Sequence, residues 1–227
     1  MARLNMQDLR PDLGGLPALA AEALGTFMLV LATAGAGSAF GAIGGSASGA
    51  GVALAPGLTF FVLALLFLPL SGAHFNPAVS LGMALAGRLP KSRLLPYALA
   101  QVAGALAAGL VLRVLLRSTV LGISTTQMPG LAALLLEALL TFWLTWVYLA
   151  LDEQKLGQAV TAAALGATLA GAIFWAGPLS GACMNPARSL GPALAALDFS
   201  DLWIYLSGPF LGAAAAATAY RAFRALS

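Results

Sequence analysis

Long apolar stretches alternate along the chain with short segments in which glycine, proline and polar residues collect. The six longest stretches cover about residues 16–40, 51–70, 94–116, 131–151, 159–176 and 202–223. About 20 helical residues cross the roughly 30 Å hydrocarbon layer of a bilayer, so each stretch is long enough to span it. We therefore predict an all-α membrane protein with six transmembrane helices, folded as a single transmembrane domain over residues 1–227.

Two of the connecting segments repeat each other. Residues 69–82 read PLSGAHFNPAVSLG and residues 178–191 read PLSGACMNPARSLG, so eleven of fourteen positions are identical at an offset of 109 residues. This identity indicates an internal duplication, with repeat one at about 16–117 and repeat two at about 130–224. Each repeat contains an odd number of spans, so the second copy enters the bilayer from the opposite side and the repeat is inverted.

The centres of the repeated segments predict two short helices that dip into the membrane without crossing it. These centres are Asn76, Pro77 and Ala78 in repeat one and Asn185, Pro186 and Ala187 in repeat two. Asparagine followed by proline is typical of a helix start, because the asparagine caps the helix and the proline lacks an N–H that would be unsatisfied there. We predict re-entrant half-helices at about 77–86 and 186–196, each preceded by an extended Ser-Gly-Ala stretch.

The two predicted half-helices indicate a water-filled path through the protein. Non-helical backbone at membrane depth survives only where it is buried in protein or faces water. In an inverted pair the two helix amino termini meet near the midplane, and each carries roughly half a positive charge, which repels cations. The amides of Asn76 and Asn185 can donate hydrogen bonds to a passing oxygen, which interrupts a proton wire. In the alternative interpretation both asparagines only cap helices in a packed interior.

Composition and charge narrow the class of protein. The chain is 60% hydrophobic and 8% charged, which excludes a water-soluble domain. With a cytosolic amino terminus, eight basic residues lie inside and two outside. The inside residues are Arg3, Arg10, Arg88, Lys91, Arg93, Lys155, Arg221 and Arg224, and the outside ones are Arg113 and Arg117. We expect both termini in the cytoplasm, a location in the plasma or inner membrane, and no nucleic-acid partner.

No catalytic chemistry is indicated. The chain has one cysteine, Cys183, and one histidine, His74. This leaves no cluster for a metal ion, and we expect no cofactor and no enzymatic activity. Cys183 is interpreted as a small buried apolar residue. His74 is interpreted as a packing residue, with sensing of cytosolic pH as the alternative.

The motifs HFNPAVS at 74–80 and MNPARS at 184–189, together with AEALGTF at 21–27, resemble the aquaporin (major intrinsic protein) family over nearly the entire chain. The resemblance implies an aquaporin-like fold and a homotetramer with one pore per subunit. It implies that Arg188 is the arginine of a selectivity filter whose other positions are Pro56, Ile173 and Ala182. It also implies that Glu22 and Glu137 accept hydrogen bonds from the re-entrant backbones, whereas a role in proton coupling is the alternative.

The filter positions indicate which solutes pass. Water-selective relatives present an aromatic residue and a histidine there, and this chain has neither, which implies a wider and more apolar ring. In this it resembles plant nodulin-like intrinsic proteins, which pass glycerol, urea, boric acid or arsenous acid. Ser189 and Ala193 depart from the acidic and basic residues usual in glycerol facilitators. We expect a passive channel for water and small uncharged solutes that excludes ions and protons. The alternatives are a water-selective aquaporin, a secondary carrier with inverted repeats, and a structural membrane protein with a closed pore.

Several residues have simpler interpretations. Arg188 could form a structural salt bridge, and Pro56 could be a first-turn helix proline. Interfacial or lipid-facing positions are predicted for Trp143, Trp146 and Tyr148. Close helix approach is predicted at Gly104, Ala108, Gly208 and Gly212.

Overall fold

The computed structural model of the chain describes residues 15–42, 49–116 and 122–226. Within these ranges it is all-helical. The helices are α1 (Leu16–Ala42), α2 (Gly49–Ser71), α3 (Pro77–Leu85), α4 (Leu94–Leu116), α5 (Gly130–Gln154), α6 (Gln158–Ser180), α7 (Pro186–Ala196) and α8 (Leu202–Ala225), with a single 3₁₀ turn at Lys91–Arg93 before α4. This confirms the prediction of six spans and two short half-helices.

Six of the helices in the described ranges are long and apolar enough to cross a membrane. Helix α5, for instance, ends at Gln154, after which Lys155 adopts a left-handed conformation with a φ of 50°. The half-helices α3 and α7 are about half as long, so they reach only part of the way through a bilayer.

The long helices pack in symmetry-related pairs. Helix α1 packs along α4, α5 packs along α8, and α2 packs along α6. Glycine makes the first two contacts close: a Cβ added at Gly104 would lie 2.1 Å from the Ala23 oxygen, and one at Gly212 would lie 2.0 Å from the Ala138 oxygen. The predicted close approach at these glycines is confirmed, and the two contacts occupy corresponding places in the repeats.

The half-helices fill the centre of this bundle. Helix α3 packs against α4, α5 and α8, helix α7 packs against α1, α4 and α8, and the two half-helices contact each other. Leucines on the outer faces of the long helices remain exposed, as at Leu58, Leu95 and Leu139. A lipid-facing exterior of this kind leaves the polar chemistry to the centre.

Charged side chains gather at one end of the bundle. Arg88 lies 3.3 Å from Asp152, and Arg224 forms an ion pair with Glu153. At the opposite end, Arg113 donates a 2.5 Å hydrogen bond to the Ala195 oxygen near the end of α7. Three further cations of the predicted charge bias, Arg3, Arg10 and Arg117, lie outside the described residues.

Candidate functional site

Both half-helices begin with a side-chain cap from asparagine. The Asn76 Oδ1 accepts hydrogen bonds from the backbone N–H groups of Ala78, at 2.9 Å, and Val79, at 3.4 Å. The Asn185 Oδ1 accepts from Ala187 at 3.0 Å and from Arg188 at 3.3 Å. Pro77 and Pro186 follow directly as the first helical residues. The helix starts are those that the sequence predicts.

The same asparagines join the two half-helices. The Asn76 Nδ2 donates to the Met184 oxygen at 2.8 Å, and the Asn185 Nδ2 donates to the Phe75 oxygen at 2.8 Å. With Oδ1 assigned to the cap, each Nδ2 uses one hydrogen in this exchange and retains a second. Each asparagine therefore has a donor left for another acceptor.

The backbone before each half-helix is not extended, so that prediction is wrong. Gly72, Ala73 and Phe75 have φ values of 85°, 51° and 50°, and the corresponding Gly181, Ala182 and Met184 have 85°, 44° and 55°. The left-handed residues on both sides of His74, and of Cys183 in repeat two, turn successive N–H groups to one side, which forms a concave anion-binding turn. The left-handed conformation of a non-glycine residue costs about 1–3 kcal/mol, so a compensating interaction is required.

A buried glutamate in each repeat supplies that interaction. The Glu22 carboxylate accepts from the N–H groups of His74, at 3.0 Å, and Phe75, at 2.6 Å, and from the Ser71 hydroxyl at 2.6 Å. Gln101 also donates to it, at 2.7 Å. A charged acceptor with several donors forms strong hydrogen bonds, which offset the strained turn.

Glu137 repeats this arrangement in the second half. Its carboxylate accepts from the N–H groups of Cys183, at 3.0 Å, and Met184, at 2.7 Å, and from the Ser180 hydroxyl at 2.7 Å. Glu22 and Glu137 are both fully buried. Both stand behind the re-entrant backbone, outside the set of residues that line the central cavity.

One cavity collects most of the residues that the sequence singles out. It offers about 60 Å³ to water-sized molecules, and one water needs roughly 10–15 Å³, so the cavity has room for a few waters. Its lining includes Asn76, Asn185, His74, Cys183, Pro56, Ile173, Ala182 and Arg188. The four positions of the expected filter thus meet around the same space as the two asparagines.

Sequence reasoning missed the rest of the lining. It comprises Leu29, Thr33, Val52, Phe60, Leu144, Leu169, Gly181 and Met184. Most of these residues are apolar and come from spans that read as uniformly hydrophobic. The correspondence between the repeats is a signal that relates two of them, because Leu29 follows Glu22 and Leu144 follows Glu137 by the same seven residues.

Arg188 is held by a serine that carries no sequence signal. Its guanidinium donates a 2.5 Å hydrogen bond to the Ser124 hydroxyl, which lies 2.7 Å from the Ser189 hydroxyl. The Ser189 hydroxyl in turn lies 2.7 Å from the Cys183 sulfur. Among the residues that the structure describes, the ion pairs join Arg88 and Arg224 to acids at the other end of the bundle, so the salt-bridge interpretation of Arg188 is wrong there.

Pro56 does not lie in a first turn. Helix α2 begins at Gly49, seven residues earlier, and Pro56 is buried inside it. Helix α2 therefore contains an interior proline at the cavity wall, and the first-turn interpretation is wrong.

Tyr148 is not a lipid-facing residue, so that prediction is also wrong. Its side chain is buried, and its hydroxyl donates a 2.5 Å hydrogen bond to the Ala73 oxygen. Its ring packs against the rings of His74 and Phe60.

The two tryptophans of the same group lie elsewhere on α5. Trp143 and Tyr148 are five residues apart, which is about 140° of rotation around a helix, so Trp143 can face outward, 55% exposed, while Tyr148 faces inward. Trp146 packs against Phe142 and against Tyr220 and Phe223 of α8.

His74 makes specific contacts as well as lining the cavity. Its Nδ1 lies 3.0 Å from the Ser80 hydroxyl, and its ring packs edge-on against Tyr97. Gln101 donates to the same Ser80 hydroxyl at 3.1 Å. His74 is therefore fixed by a buried network that also reaches Glu22.

Six spans around two joined half-helices, with a cavity at the junction, define a multi-pass membrane protein of the channel class. The family model described as Major intrinsic protein matches residues 12–220, and the chain belongs to this family of channels, whose members are not enzymes.

Plant proteins are among its relatives. The chain is 43% identical over 214 residues to aquaporin NIP1-4 of Oryza sativa subsp. japonica, which covers 92% of this chain and 77% of that protein. It is 39% identical over 208 residues to aquaporin NIP1-1 of Zea mays, covering 90% of this chain and 73% of that protein. The structure of the aquaglyceroporin from Plasmodium falciparum superimposes with a TM-score of 0.82 at 24% identity, over 89% of this chain and 93% of that one, and supports the fold.

Proposed function

We propose that the protein is a passive channel for water and small uncharged solutes such as glycerol, urea, boric acid or arsenous acid, and that it excludes ions and protons. The observation that carries the proposal is the cavity that Asn76, Asn185 and Arg188 line together. Hydrogen-bond donors and positive charge meet there among apolar walls. Such a lining accepts neutral molecules with oxygen acceptors and opposes cations.

The two asparagines act as midplane donors in this proposal. Each Nδ2 is held by the carbonyl of the opposite repeat and directs its second hydrogen to a passing oxygen. A water that accepts from both asparagines turns its own hydrogens away from them, which interrupts the chain of donors and acceptors that a proton would follow. Pro77, Ala78, Pro186 and Ala187 start the half-helices whose positive ends add to the barrier.

Arg188, Pro56, Ile173 and Ala182 form the aperture. The ring contains one cation and three residues without polar side-chain atoms, so the arginine supplies the donors while the rest of the wall is apolar. The absence of a bulky aromatic side chain from these four positions supports a solute range wider than water. Glu22 and Glu137 hold the re-entrant backbones, an interpretation that their four and three accepted hydrogen bonds support.

We also propose how the subunits assemble and where the chain lies in the cell. We place the chain in a plasma or inner membrane with both termini in the cytoplasm, because its basic residues favour one end of the bundle. The whole chain forms one transmembrane domain of two inverted repeats. We propose a homotetramer with one pore per subunit, which cross-linking in native membranes followed by mass measurement tests.

Stopped-flow light scattering on proteoliposomes tests the function. Water, glycerol and boric acid should each enter faster than into empty vesicles, with a rate linear in solute concentration. Fast water entry without glycerol or boric acid entry would indicate a water-selective channel. Saturation with counterflow would indicate a carrier, and permeability equal to that of empty vesicles would contradict the proposal.

A further inference from the structure

Helix α2 contains a proline at the cavity wall, and this changes the backbone beneath it. Pro56 has no N–H, so it cannot donate the usual hydrogen bond to the carbonyl four residues earlier, which belongs to Val52. Val52 and Pro56 both line the cavity. Residues four apart lie on one face of a helix, so the Val52 carbonyl between them lies on the face that looks into the cavity.

The second interior proline of α2 behaves differently. Pro69 also lacks an N–H, and the carbonyl it leaves behind, that of Leu65, accepts a hydrogen bond from the Gln158 side chain. A freed carbonyl in a membrane helix needs such a substitute donor, because an unsatisfied backbone group in an apolar setting is costly. Beside Val52 the neighbouring space is the cavity, so a solute in the cavity is placed to be the donor.

We propose that the Val52 main-chain carbonyl, freed by Pro56, is a solute-binding acceptor in the aperture and that it selects solutes carrying hydroxyl groups. Arg188, on the same cavity, offers only donors. A hydroxyl can accept from the guanidinium and donate to the carbonyl, and a molecule with two or three hydroxyls can do both at once. This inference rests on the proposed channel function and assigns the chemistry of its selectivity.

Selection by the Val52 carbonyl and selection by the width of the aperture predict different results for the same substitutions at Pro56. Pro56→Val restores the N–H at nearly constant side-chain size, so the restored helix bond occupies the Val52 carbonyl. Pro56→Ala restores it as well and also widens the aperture. If size alone determined selectivity, the valine variant would match wild type and the alanine variant would conduct glycerol faster. Both residues are better helix formers than proline, so the fold is retained.

The experiment measures glycerol and water permeability of full-length wild type, Pro56→Val, Pro56→Ala and the control Pro69→Ala in proteoliposomes. We expect Pro56→Val to lower the ratio of glycerol to water permeability several-fold, and Pro69→Ala to leave it unchanged. An unchanged ratio in Pro56→Val would overturn the inference, as would an equal fall in Pro69→Ala, which would trace the effect to straightening of α2. Wild-type vesicles that admit neither water nor glycerol would instead contradict the channel function itself.

Discussion

The Asn76 side-chain amide donates a 2.8 Å hydrogen bond to the Met184 carbonyl, which lies 108 residues further along the chain. Its counterpart, Asn185, returns an equal bond to Phe75. The two half-helices are therefore joined tip to tip by the same groups that cap them. The two helix starts and the contact between the repeats thus depend on two side chains, and the proposed function uses the same side chains as donors to the solute.

Replacing the Asn76 amide by a carboxylate tests this arrangement. Asn76→Asp keeps an oxygen to cap α3 but loses the donor to Met184, and it adds a negative charge between two positive helix ends. We expect a measurable leak of potassium ions and a lower glycerol permeability in proteoliposomes. Asn185→Asp should behave in the same way because the arrangement is symmetric. If neither variant leaked potassium and both admitted glycerol at the wild-type rate, the role of the amides would be contradicted.

Ser124 should set the position of Arg188. Ser124→Ala removes the hydroxyl that accepts from the guanidinium at 2.5 Å, so the arginine samples more of the aperture. Glycerol permeability should fall several-fold and water permeability should fall less, as measured by light scattering. Ser124→Thr keeps the hydroxyl and should restore the wild-type ratio. Thr125→Ala, at the exposed neighbouring residue, is the control and should keep the wild-type ratio of glycerol to water permeability. If Ser124→Ala also kept that ratio, the positioning role of Ser124 would be refuted.

Tyr148 should narrow the pathway on the side away from Arg188. It follows Glu137 by eleven residues, as Thr33 follows Glu22, and Thr33 lines the cavity. Tyr148→Thr replaces the ring by the smaller side chain found at the corresponding position of repeat one, so glycerol permeability should rise several-fold. Tyr148→Phe keeps the ring and should retain near wild-type flux, although the Ala73 carbonyl loses its donor at a cost of about 1–3 kcal/mol in stability. Equal glycerol entry in wild type and Tyr148→Thr would show that this ring does not limit passage.

Gly104 should allow the close packing of α1 against α4. In Gly104→Ala the added Cβ would lie 2.1 Å from the Ala23 oxygen, so α1 and α4 must separate. Overpacking of this kind costs about 1–3 kcal/mol, which a lower melting temperature in detergent should report. Gly171, in α6, has no atom within 4 Å of an added Cβ, so Gly171→Ala should be neutral or stabilising. The same melting temperature for both variants would contradict the packing argument.

The fold could be predicted from the sequence because its signals are local or repeated. The spans follow from unbroken apolar runs, the half-helices from Asn76-Pro77 and Asn185-Pro186, and the inversion from an odd number of spans in each copy. The segments before the half-helices read as extended, because nothing in Ser-Gly-Ala indicates that a carboxylate distant in sequence binds their backbone. Glu22 and Glu137 accept hydrogen bonds from successive N–H groups there, and the left-handed residues turn those N–H groups toward the carboxylate.

The candidate site could be predicted only in part, for a related reason. Arg188 and the asparagines belong to the repeated motif, whereas Ser124 lies in a connection without a motif and meets Arg188 only in three dimensions. Tyr148 reads as one more aromatic of an apolar span, and its inward direction depends on the rotation of α5 about its axis. The sequence gives no signal for Ser124, because its partner is distant in sequence. It gives none for Tyr148, because the span around it is uniformly hydrophobic.

The central claim is that joined half-helices surround a pathway open to neutral solutes and closed to ions. It is tested most directly by recording glycerol entry and potassium flux in the same preparation of wild-type proteoliposomes, against empty vesicles. The account predicts glycerol entry well above the empty-vesicle rate with potassium flux equal to the empty-vesicle rate. Potassium flux that rises together with glycerol entry, or glycerol entry no faster than in empty vesicles, would contradict it.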